Sequence, residues 1–92
     1  MKFNDIKDNN DLFKYLMWLH CELQNNGKFQ LAEEVRIASR FISGSPTEFL
    51  HESQAVLKKI VNEKNSFKES DINEILAVIV SIDNAFRSVG GA

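Results

Sequence analysis

Leu12, Leu16, Leu19 and Leu23 recur at intervals of four, three and four residues, the rhythm that returns side chains to one face of an α-helix. This seam predicts a first helix over about 9–26, opened by Asn9, Asn10 and Asp11 as capping residues and ended by Asn25-Asn26-Gly27. Leu31, Val35, Ala38 and Ile42 place a second helix over about 28–43. A third, about 45–64, turns Phe49, Val56, Leu57 and Ile60 inward beside Leu50 and Val61. The fourth, about 70–88, takes Ser70 as its cap and buries Ile72, Ile75, Ile79, Ile82 and Phe86. Its β-branched residues would locally permit a strand, but the helical period and the helical surroundings decide for a helix.

The second and third helices meet with no linker between them. In Ser43-Gly44-Ser45-Pro46-Thr47-Glu48, Gly44 can adopt the left-handed conformation that closes a helix. Ser45 can cap the next one, with Pro46 at the first helical position, where its missing N–H is not needed. Glu48 lies three residues after Ser45 and completes a capping box. The other joints are also short, Asn25-Asn26-Gly27 and roughly Asn65 to Glu69. Short joints make successive helices neighbours, so the expected fold is an all-α, compact bundle of four helices.

The length of 92 residues suits a single helical domain over 1–92, with residues 1–8 and 89–92 expected to be loosely ordered. The formal charge is −2, from 11 basic and 13 acidic side chains, which does not favour a phosphate backbone or an anionic membrane surface. The third helix carries Gln54, Lys58 and Lys59, but three outward glutamates share it, so nucleic acid is not the expected partner. The longest apolar run, Ile75 to Val80, is six residues, far short of the ~20 that span a bilayer. Met1 to Asp5 lacks the apolar core of a signal peptide, and the expected location is the cytoplasm.

Candidate chemistry is sparse. Cys21 is the only cysteine, so neither an internal disulfide nor a cysteine-based zinc site can form. His20 stands next to it in sequence, but successive helical residues point about 100° apart, and His20 cannot activate the Cys21 thiol from there. His51 is placed on an outward face, and no ligand spacing of a known metal motif occurs, so no cofactor or metal is expected. Arg36 and Arg40, spaced four apart behind Glu33, read as a solvated ion-pair row, although two arginines could also grip a carboxylate or phosphate.

Two groups of residues ask for a partner. Met17, Trp18 and Cys21 fall opposite the leucine seam together with Lys14, and Glu22 lies at their edge. Trp and Met are enriched in interfaces, so this face is the candidate binding surface; a packing helix or the segment of Phe3 and Ile6 would be the plain alternative cover. Asp83 falls within the apolar face of the fourth helix, where a carboxylate needs a partner. His20, on the shoulder of the seam, is the candidate for a buried polar pair with Asp83, with Arg36, Arg40 and Tyr15 as other donors and solvent at the helix end as the alternative.

The stretch from Leu31-Ala32-Glu33-Glu34-Val35-Arg36 through Gly44-Ser45-Pro46-Thr47-Glu48-Phe49-Leu50 resembles a helix joint found in small uncharacterised bacterial all-helical proteins. It covers roughly the middle third of the chain and implies a fold, not an activity. In size and charge the chain is also similar to immunity proteins of bacterial toxin systems. That resemblance implies a non-enzymatic protein-binding module whose partner is another protein, such as a basic toxin domain. A self-associating structural or regulatory protein, or a small-ligand-binding bundle using His20 and Asp83, are the alternatives.

Overall fold

The computed structural model describes residues 6–89, and within them the architecture is four α-helices with no strand. They are α1 (Asn9–Asn25), α2 (Phe29–Ser39), α3 (Pro46–Asn62) and α4 (Glu69–Val89), with 3-10 turns at Arg40–Ser43 and Lys64–Ser66. The Cα radius of gyration is 12.4 Å, close to the ~12 Å expected of a globular chain this long. Phe3 and the tail 90–92 lie outside the described residues.

Local chemistry accounts for each helix end. Asp8, not Asn9 or its neighbours, caps α1: its carboxylate accepts from the Asp11 amide at 2.9 Å. The Asp11 carboxylate in turn accepts from the Lys7 amide at 3.1 Å. Gly27, at φ +75°, closes α1 in a Schellman motif. The Lys28 amide donates to the Leu23 carbonyl at 2.8 Å and the Gly27 amide to that of Gln24 at 3.1 Å. A side chain at Gly27 would meet no neighbour, so only the backbone angle calls for glycine there.

The corner between α2 and α3 differs from expectation on its first half. The last turn of α2 tightens into a 3-10 turn, and Gly44 leaves it at φ −108°, not in the left-handed region. Its amide is satisfied by the Phe41 carbonyl at 3.0 Å, an i→i+3 bond that a tightened turn supplies without a left-handed residue. The second half keeps the serine cap and the proline but not the full capping box, since the Glu48 carboxylate accepts no bond from the Ser45 amide. The Ser45 hydroxyl accepts from the Glu48 amide at 3.4 Å, and Pro46 opens α3. At the far end, α4 begins at Glu69, so Ser70 sits inside the first turn and does not cap it; the Lys68 carbonyl receives the Asp71 and Ile72 amides, both at 3.1 Å.

All four helices contribute to one core. Leu12, Leu16, Leu23, Val35, Phe49, Leu57, Ile60, Ile75 and Ile82 are almost completely buried within it. Each such side chain stabilises the fold by about 1.5–3 kcal/mol relative to exposure. α2 folds back on α1, α3 packs on α2, and α4 packs on α3. The chain therefore has a hairpin at each end, joined at the Gly44 corner. The backbone of α4 makes no comparable approach to α1, and side chains bridge the space between those two helices.

Candidate functional site

A cleft lies between the second half of α1 and the start of α4. Its apolar wall is Leu19 and Leu23 from α1 and Ile75 from α4, and its aromatic wall is Tyr15, Trp18 and Phe67. The helical period explains the α1 contribution, because Tyr15, Trp18, Leu19 and Glu22 share one face of the helix. Phe67 arrives from the connection before α4, just after the 3-10 turn. Tyr15 is fully buried and its ring lies 5.8 Å from that of Trp18, tilted by 36°. Such a separation suits a favourable aromatic pair.

Glu22, Asp71 and Glu74 are also on the cleft, and among the described residues no lysine, arginine or histidine lines it. The field of Glu74 and Asp71 reaches the buried phenol. Burial first, then Glu74 and Asp71, push the Tyr15 hydroxyl well above its ordinary pKa of 10.0. Both carboxylates disfavour phenolate by like-charge repulsion, as burial does by desolvation. Lys28 stands nearby at the α1–α2 turn, with Nζ 5.5 Å from the centre of the Phe67 ring, a cation–π contact.

The five expected contact residues are therefore split. Trp18 and Glu22 line the cleft, and Trp18 is half-buried against the core. Met17 is half-buried, while Lys14 and Cys21 are exposed, and none of these three lines the cleft. Ile6 is directed elsewhere, beside Pro46, Leu50 and Ile82, so it does not cover Trp18. Phe67, Asp71 and Glu74 are the cleft residues that sequence reasoning missed. The signal available was the single aromatic Phe67 in the otherwise polar stretch Asn62–Asp71.

The expected pair of His20 and Asp83 does not form. His20 Nδ1 donates to the Ala32 carbonyl at 2.8 Å, tying α1 to α2. Asp83 instead accepts from the side-chain amide of Gln54 in α3 at 2.7 Å, and the same nitrogen donates to the Ile79 carbonyl at 3.3 Å. Each polar group on a helix shoulder is satisfied by the helix that packs on its own. Neither His20 nor Asp83 lines the cleft.

The other charged rows are ion pairs. Arg36 and Glu33 bond side to side, with Nε to Oε1 at 2.8 Å, which holds the Glu33 carboxyl below its usual range. Lys59 of α3 reaches Glu34 of α2 at 2.6 Å. Among the described residues no three His, Cys, Asp or Glu side chains gather into a metal-holding group, and no helix is long and apolar enough to cross a membrane. Comparison with protein-family models, curated proteins and solved structures gives no match.

Proposed function

We propose that the chain is a non-enzymatic protein-binding module of the immunity or antitoxin type, acting in the cytoplasm and neutralising a toxic protein by direct binding. The observation that carries this reading is the cleft, where aromatic rings are rimmed by Glu22, Asp71 and Glu74 and the one described cation beside it is Lys28, over the Phe67 ring. A partner that itself acts on nucleic acid presents a basic surface, and an acidic site complements it in potential and speeds encounter. The half-buried Trp18 and Phe67 supply stiff contact surface at such a site, with the buried Tyr15 packed against Trp18. Catalysis is not part of the proposal, because His20, the histidine next to Cys21 in sequence, is committed to the Ala32 carbonyl.

The test is affinity capture from the native cell, followed by co-expression of any captured protein with and without this chain. One stoichiometric protein whose expression arrests growth, with growth restored by this chain, supports the proposal. Recovery of the bait alone would refute it.

A second reading, self-association, has its own observation. Leu76 and Val80 are 42% and 56% exposed, one turn apart on α4, and Ala77 between them is exposed as well. An uncharged stripe of this kind is compatible with a two-fold contact between copies. Light scattering that finds only a monomer at high concentration would remove it.

A further inference from the structure

We infer that the outer face of α4 is self-complementary and docks antiparallel, about a two-fold axis, on the same face of a second copy of this chain. This deepens the self-association reading above and rests on it. α4 has a side to spare, because it packs closely on α3 and meets α1 only through the side chains around the cleft. The exposed faces of the other helices carry charge: Lys14 and Glu22 on α1, Glu33 on α2, Glu48 and Lys58 on α3. Between Glu74 and Arg87, by contrast, the one ionisable side chain of α4 is Asp83, half-buried and bonded to Gln54. Leu76, Ala77 and Val80 stand exposed in the middle of that stretch. Ser81, on their flank, donates its hydroxyl to the Ala77 carbonyl of its own helix at 3.2 Å.

The order of residues along this face selects the occupant. Glu69 and Arg87 are 18 residues apart, five complete turns, so the two charges share one line along α4, roughly 27 Å apart. Both are exposed, and neither is taken up by an ion pair among the described residues. Asn73 and Asn84 lie on the same exposed side, inside the two charges. A copy turned end for end about Val78 therefore sets Arg87 against Glu69, Asn84 against Asn73 and Val80 against Ala77, and symmetry repeats each match. Amides facing amides can satisfy one another, and a small residue opposite a larger one allows close approach. A shallow crossing of about 20° keeps both charged ends in reach. A parallel pair would instead place Glu69 on Glu69 and Arg87 on Arg87, and would align the helix dipoles that an antiparallel pair opposes.

The test is sedimentation equilibrium of the full chain and its variants at low ionic strength, with far-UV circular dichroism to confirm the fold. Arg87→Glu and Glu69→Lys each create two like-charge pairs across the axis and should weaken association about tenfold. Glu69→Lys/Arg87→Glu on one chain exchanges the signs and should restore it. A parallel pair would respond to neither single change, since each end would still face its own like charge. Val80→Glu, at an exposed position that leaves the core intact, should abolish the dimer by placing carboxylates in its apolar centre.

The outcomes separate the inference from the reading beneath it. A dimer that survives Val80→Glu, or that is indifferent to the single charge changes, overturns the antiparallel α4 contact and leaves self-association standing. A double variant no better than the singles overturns the assigned register in the same way. A strict monomer at the highest soluble concentration removes both.

Discussion

Replacing Gln54 with methionine removes one amide and keeps the length of the side chain, so the loss is chemical and not one of volume. Gln54 is only 8% exposed, and its Nε2 is the donor that meets the Asp83 carboxylate at 2.7 Å across α3 and α4. A hydrogen bond to a charged group contributes about 1.5–3 kcal/mol, and leaving its partner unsatisfied adds to the loss. Asp83 is half-buried and can recover part of that from water, which sets the expected cost of Gln54→Met near the low end, about 1.5 kcal/mol. The second bond, to the Ile79 carbonyl, is long at 3.3 Å and contributes little. For a domain of this size a loss of about 1.5 kcal/mol lowers the thermal midpoint by about 6–12 °C. Urea unfolding followed by circular dichroism gives the same quantity from the midpoint at constant slope. The double variant Gln54→Met/Asp83→Leu leaves no orphaned polar group and should recover most of the loss, with a coupling of about 1 kcal/mol or more. Additivity of the two single changes within about 0.3 kcal/mol would refute the reasoning, since the pair would then act as two independent surface residues.

Tyr15 predicts an alkaline limit to stability. Its pKa is raised in the folded chain, so the phenol stays neutral there while the unfolded chain ionises near its ordinary 10.0. This contribution is complete below that pH and is lost above it, at about 1.4 kcal/mol per pH unit for one proton. Because Tyr15 is the only tyrosine, phenolate absorbance reads it alone, and it should rise together with unfolding; Tyr15→Phe should flatten the alkaline limb relative to wild type. A rise at ordinary tyrosine pH in the folded protein would refute the burial argument. The two serviceable caps should differ in worth: Asp8→Ala is expected to cost about 1 kcal/mol and Ser45→Ala about 0.5. Asp8 accepts at 2.9 Å and adds negative charge at a helix N-terminus, whereas Ser45 accepts at 3.4 Å, and urea midpoints decide the order.

The helices were readable because each carries a seam at a period no strand can share: Leu12 to Leu23, Leu31 to Ala38, Phe49 to Ile60, Ile72 to Ile82. Their ends were less so, for a physical reason. Asp8, Asn9, Asn10 and Asp11 are four adjacent residues that can all cap, and the choice between them is made by the path of the preceding chain. Gly44 permits a left-handed closure without requiring it, and the 3-10 turn over Arg40–Ser43 removed the need. The partner of Asp83 was hidden by distance along the chain, since Gln54 precedes it by 29 residues and lies on another helix. The cleft shows the same division. Helical angles placed Trp18 away from the leucine seam and Glu22 at the edge of its patch, but Phe67, Asp71 and Glu74 join them only once α4 is set across the gap.

That gap also has a kinetic meaning. Proteins open locally in cooperative units, first where few buried contacts resist. Here the two hairpins are each held by close helix-on-helix packing, while α1 and the start of α4 are joined by side chains around a small void. Amide hydrogens in the first turns of α4 and in the Lys64–Ser66 turn should therefore exchange earlier than those of α1 and α2. A partner engaging Trp18 and Phe67 together would latch the one seam through which the bundle breathes, and slowed exchange along it would register binding far from any contacted residue.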